Sequence, residues 1–145
     1  MPANTTPIFS LTANKGTSTG LRLTLGNLFR DLSTTTNAGL LFTAGTNGSR
    51  IDTIDFTHSA ANSTQASIAC VGRIYLCTSN LGAGAILIKE IALPAVTPTA
   101  SAIGQQQTIT FTTPLFIPSG MFVWASISVA QTSGAYDISC YGADY

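Results

Sequence analysis

Apolar residues alternate with Thr, Ser and other polar residues along most of the chain, the period-two pattern of half-buried strands. Leu21, Leu23 and Leu25 fall on one side of one such run, with Arg22 and Thr24 on the other. Ile109 and Phe111 oppose Thr108, Thr110 and Thr112. In a longer run, Ile68, Cys70, Ile74 and Leu76 share a face from which Arg73 and Tyr75 point away. The pattern predicts strands over residues 7–13, 21–25, 40–43, 51–57, 66–78, 85–93, 107–112, 121–130 and 136–141. Helical periodicity is nearly absent, and the best candidate is a turn or two over residues 26–32. The breaks have turn chemistry. Ala44-Gly45-Thr46-Asn47-Gly48-Ser49 contains Asn-Gly, which tolerates the positive φ of a tight hairpin. Pro118-Ser119-Gly120 separates two apolar runs, Gly82-Ala83-Gly84 reads as a turn, residues 94–104 as a surface loop and residues 60–65 as a loop tip. Short strands broken every ten residues or so predict an all-β fold. The expected architecture is a single-domain antiparallel β-sandwich over residues 1–145, jelly-roll-like, with about eight or nine strands. The first dozen residues are expected to be a mobile arm or an edge strand, with residues 1–6 the candidate mobile arm.

One run is apolar on both sides. Met121, Val123, Ala125, Ile127 and Val129 form one face, and Phe122 and Trp124 begin the other, followed by Ser126 and Ser128. A strand of this kind must be covered twice. Its second cover is either a loop of the same chain or another subunit. The second alternative makes Phe122 and Trp124 interface anchors, in keeping with aromatic enrichment at interfaces. Tyr75 and Arg73, on the outward side of their own strand, join them as candidate interface residues.

Charge sharpens this picture. Only 8% of the residues are charged while 45% are apolar, and six cations balance six anions. Soluble domains average about 25% charged residues. A neutral, charge-poor surface lacks colloidal protection against association, which suits a packed, static assembly. Nucleic acid is not an expected partner, because Lys15, Arg22, Arg30, Arg50, Arg73 and Lys89 are scattered singly. The apolar runs fall far short of the roughly 20 residues of a spanning helix. The opening Met1-Pro2-Ala3-Asn4-Thr5-Thr6 has no basic and apolar leader pattern, so synthesis in a cytoplasm without membrane association is expected.

Candidate chemistry is sparse. The single histidine, His58, lies near Asp52, Asp55 and Ser59. On a regular strand His58 and Asp52 share a parity but stand about 20 Å apart, while Asp55 and Ser59 point to the opposite face. No nucleophile–base–acid relay is expected there, and His58 reads as a polar strand-end residue. The acids Asp31, Asp52, Asp55, Glu90, Asp137 and Asp144 show no glycosidase or calcium-loop spacing. No catalytic residue, metal or cofactor is therefore expected. Cys70 and Cys77, seven residues apart on one strand, are about 23 Å distant on opposite faces, beyond disulfide reach. With Cys140 they are read as buried free thiols, and the odd count leaves an intermolecular bridge open. The Asn-x-Ser/Thr triplets at Asn4, Asn47 and Asn62 are what chance gives in so Ser- and Thr-rich a chain. Tyr75, Trp124, Tyr136, Tyr141 and Tyr145 could form a sugar platform, with core and interface roles favoured.

Several segments carry a family resemblance. They are Ala3-Asn4-Thr5-Thr6-Pro7 with Phe9; the stretch Phe42-Thr43-Ala44-Gly45-Thr46-Asn47-Gly48-Ser49-Arg50-Ile51-Asp52; and Arg73-Ile74-Tyr75-Leu76. Ile88-Lys89-Glu90-Ile91 follows, with Pro94-Ala95-Val96-Thr97-Pro98, Pro114-Leu115-Phe116-Ile117-Pro118-Ser119-Gly120 and Gly142-Ala143-Asp144-Tyr145. Read together, the chain resembles small accessory virion proteins of tailed phages. The resemblance implies a head decoration (cement) protein that binds the major capsid protein in the virion, as a homo-oligomer and by analogy a trimer. The alternative is a tail, baseplate or fibre component contacting a host glycan. No catalytic residues come with the resemblance. The segment between Gly16 and Asn37 is longer and more apolar than the family pattern.

Overall fold

In the computed structural model, residues 12–14, 20–62 and 64–145 are described. They contain nine strands: β1 (Thr12–Asn14), β2 (Leu21–Leu23), β3 (Ala38–Thr43), β4 (Ser49–Ser59), β5 (Cys70–Cys77), β6 (Ile86–Leu93), β7 (Gln106–Ile117), β8 (Phe122–Ile127) and β9 (Ala135–Asp144). The expected strand over 7–13 and the expected arm over 1–6 lie largely or wholly outside the described residues.

The strands form two antiparallel sheets. One has the order β1-β9-β4-β7, with β2 also on β9; the other has the order β3-β8-β5-β6. β1 and β2 share one edge of β9, opposite Gly142–Asp144 and Tyr136–Ile138 respectively. β2 pairs with β9, β3 with β8, β4 with β7 and β5 with β6, so the first half of this ribbon folds back along the second. The expected all-β sandwich is what the chain forms.

Alternation decides which side chains enter the space between the sheets. Ile54, Phe56, Ile74, Val123, Ala125, Ile127, Tyr136, Ile138 and Cys140 meet there in one core. Two of the register slips correct the regular alternation. In β3 the register slips between Leu40 and Phe42, and Leu41 and Phe42 both enter the core. In β4 it slips between Ile51 and Thr53. Ser49 and Ile51 point inward before this bulge, and Ile54, Phe56 and His58 after it. A bulge adds one residue to one strand and reverses the parity beyond it. Asp52 and His58 therefore do not share a face: Asp52 pairs with the outward Arg50 at 3.5 Å, and His58 is buried.

Three expected elements are shortened or absent. No helix forms over 26–32, because Asn27 takes up the local backbone groups with its side chain. The run 66–78 is a strand only from Cys70. Before it, the Ser67 N–H donates to Val96 O and the Ile68 N–H to Gln131 Oε1, so neither is free for a ladder. β8 stops at Ile127, and Val129, expected on the core face, is exposed. β7 runs further than expected, through Pro114 to Ile117, with its register against β4 jumping from Leu115 to Thr110. Pro cannot donate to a ladder, and an edge strand tolerates it.

Candidate functional site

Residues 24–37 of the same chain lie across part of the outer face of the β3-β8-β5-β6 sheet. Beneath this strap lies a second, smaller core of Leu32, Tyr75, Cys77 and Trp124, with Leu40, Leu87 and Phe122 around it. Of the two covers open to β8, the loop is the one present. Tyr75 is fully buried, and Trp124 and Arg73 are only 8% and 7% exposed; Phe122 is half-buried. The four candidate interface residues do lie together on one face, but three of them are enclosed by their own chain.

Polar groups hold the strap in place. The Asn27 backbone N–H donates to Ile127 O at 2.7 Å, and its carbonyl accepts from Arg73 Nη1 at 3.0 Å. Its side chain, 2% exposed, donates from Nδ2 to Thr34 O (2.8 Å) and Thr36 O (2.9 Å) and accepts from the Phe29 N–H (2.9 Å). Asn37 Nδ2 closes the loop by donating to Gly26 O. Gly26 can lie on the end of β8 because it has no side chain: a Cβ there would stand 2.8 Å from Ser128 O and Val129 Cα. The Tyr75 hydroxyl donates to Phe29 O. Glu90 accepts from Arg73 Nε (3.0 Å) and Arg30 Nη2 (2.6 Å), tying strap to sheet. These hydrogen bonds, Arg73's first, hold the Glu90 carboxyl below its ordinary value.

Among the strap's own side chains, polar anchoring contributes more than apolar burial. Leu32 is its one buried large apolar side chain. Full burial of a leucine contributes about 1.5–3 kcal/mol. Leu32 also has φ 53°, in the left-handed region, which costs a residue with a Cβ about 1–2 kcal/mol. Most of the gain is offset. The Asn27 and Arg73 contacts add about 1 kcal/mol per hydrogen bond, beside the apolar surface of Tyr75 and Trp124 that the strap covers.

The outer face of the other sheet is polar. The Ser59 hydroxyl donates to Asp137 Oδ2 (2.5 Å) and accepts from Arg22 Nη2 (3.0 Å), and Thr108 donates to Asp55 (2.6 Å). Ser59 is thus engaged by Asp137, not by His58. The His58 Nε2–H donates to Ser133 O at 2.9 Å, and its ring stands edge-on to Tyr136 with centroids 5.5 Å apart. A hollow of about 410 Å³ beside it is lined by small and polar residues, among them Ser59, Asn62, Gln65 and Thr99. No three of His, Cys, Asp and Glu gather to hold a metal ion among the described residues. Nor is any helix there long and apolar enough to cross a membrane. Burial pushes the free thiols of Cys70 and Cys77 up to about 11 and that of Cys140 to about 12, so they are poor nucleophiles. Of the five aromatics weighed as a sugar platform, Tyr75, Tyr136 and Trp124 are buried, Tyr145 is half-buried, and Tyr141 is 47% exposed.

The residues that organise this region are Asn27, Leu28, Phe29 and Leu32, none of which stands out in the sequence. Leu28 and Phe29 are 78% and 51% exposed on a tethered backbone. The available signals were the short helical spacing over residues 26–32 and the apolar surplus between Gly16 and Asn37. Comparisons with family models, with curated proteins and with solved structures find no match.

Proposed function

We propose that this protein is a structural component of a tailed-phage virion, a head decoration protein that binds the major capsid protein as one of many copies. The observation that carries the reading is the surface. Nine large apolar side chains are exposed among the described residues of a chain with six acids and six bases. Single exposed apolar residues are ordinary; combined with so few charges they suit permanent packing against a partner. The pairing of β2 with β9 through β5 with β6 supports reading the sandwich as a jelly roll, an architecture used by viral capsid and lectin domains. Fold alone does not assign function, and the phage assignment rests on the sequence resemblance. Many weak contacts on a repeating shell give retention through multivalency.

Mass spectrometry and imaging of purified particles test this reading. The expected result is many copies on the head, with particles lacking the protein releasing their DNA at lower temperature. Absence from particles overturns it. A few copies at the tail would favour the second reading, contact with a host glycan. The observation on that side is Tyr141, exposed and paired opposite Thr53 on the polar sheet face.

A further inference from the structure

The strap presents an apolar crest. Leu25, Leu28 and Phe29 are 54%, 78% and 51% exposed, and Val129, 40% exposed, sits against Gly26 beside them. The crest stands on a fixed backbone: the Asn27 side chain bonds to Thr34, Thr36 and Phe29, and Gly26 is tied to Asn37. Preorganised apolar groups lose little freedom on contact. Leu28 and Phe29 also line a hollow of about 310 Å³, closed by Thr34, Thr36 and Asn37. Protrusion and hollow therefore occur in one patch.

We infer that this crest is a contact between copies of the chain, related by a two-fold axis, with Leu28 of each copy entering the strap hollow of the other. A two-fold contact requires one patch to be complementary to itself, and a patch holding both knob and hollow meets that condition. Charge does not oppose it. Arg30 is neutralised by Glu90 at 2.6 Å, and Asp31 is the strap's one charge outside an ion pair. Area sets the strength. The exposed fractions amount to roughly 400 Å² of apolar surface, within the range of the largest patches on monomers. That is about half of the roughly 800 Å² per partner in a stable interface. The contact is weak in dilute solution and fills where copies are concentrated side by side. The inference deepens the proposed multi-copy role and takes its setting from it.

Sedimentation velocity on the purified full chain, from about 10 µM to about 1 mM, tests the contact. Wild type is expected to associate reversibly in the upper part of that range. Leu28→Ser with Phe29→Ser is expected to weaken association at least about tenfold. Ile103→Ser, at an 81% exposed position in a different loop, is expected to leave it unchanged. Thermal melts of wild type and both variants confirm folding. A wild type monomeric throughout overturns the inference. So does association that survives the double substitution, or that Ile103→Ser abolishes equally. The shell reading fails separately: copies that pair through the crest yet never enter particles would sink it and leave the contact standing.

Discussion

Replacing Asn27 with alanine isolates what holds the strap. The backbone contacts to Ile127 and Arg73 persist in the variant, and three side-chain hydrogen bonds are lost, to Thr34, Thr36 and Phe29. Each contributes about 0.5–1.5 kcal/mol. Thr34 is half-buried and Thr36 exposed, so water can reach their freed carbonyls, which keeps the sum near the lower half of its range. The expected loss is about 2–3 kcal/mol, or roughly 6–9 °C in Tm for a chain of this size. Trp124 is the chain's one tryptophan and lies under the strap, so its fluorescence reports locally. Emission should shift to the red, and acrylamide quenching should rise, below the temperature at which far-UV circular dichroism changes. A melt within about 1 °C of wild type with unchanged quenching would refute the reasoning, because the apolar contacts of Leu32 would then suffice to hold the strap.

Three further outcomes are expected. Gly48 has φ 88°, and a Cβ there would meet Ile117 O and the Phe116 ring at 3.1 Å, so Gly48→Val should cost about 2–4 kcal/mol by denaturant titration. The Glu90 carboxyl lies below its ordinary 4.5, so its stabilisation is complete above that pH and is lost as pH falls through the folded value; Trp124 quenching should rise in acid in wild type but not in Glu90→Gln. Lys89 is exposed on β6, an outermost strand, opposite Ile74 on the core-facing side, where an inward-leaning charge discourages edge pairing; Lys89→Val should increase light scattering on concentration, and a variant as soluble as wild type would remove that role.

The strands were legible because burial enforces alternation. In β8, Val123, Ala125 and Ile127 face the core and Phe122 and Trp124 face away, as the pattern requires. The Asn47-Gly48 turn was legible because few residues tolerate its geometry. The β4 bulge was not, since nothing in Ile51-Asp52-Thr53 marks an extra residue, and it alone separates Asp52 from the face of His58. The strap was not legible either. Leu25, Leu28, Phe29 and Leu32 have the spacing of a short helix that does not form, and the strap's conformation follows from contacts of Asn27 and Leu32 with strands distant in the chain. The two alternatives for covering Trp124 were the furthest that alternation could reach, because periodicity reports that a face is hidden and not what hides it.

The place of β9 has a kinetic side. It lies between β4 on one edge and both β1 and β2 on the other, yet it is translated after all of them. The sheet that holds β1, β2, β4 and β7 cannot be completed on a nascent chain while β9 is still in the exit tunnel. Earlier strands wait with open hydrogen-bonding edges, and such distant pairings close slowly. For a charge-poor chain, that interval during synthesis is when self-capture by neighbouring nascent copies is most dangerous.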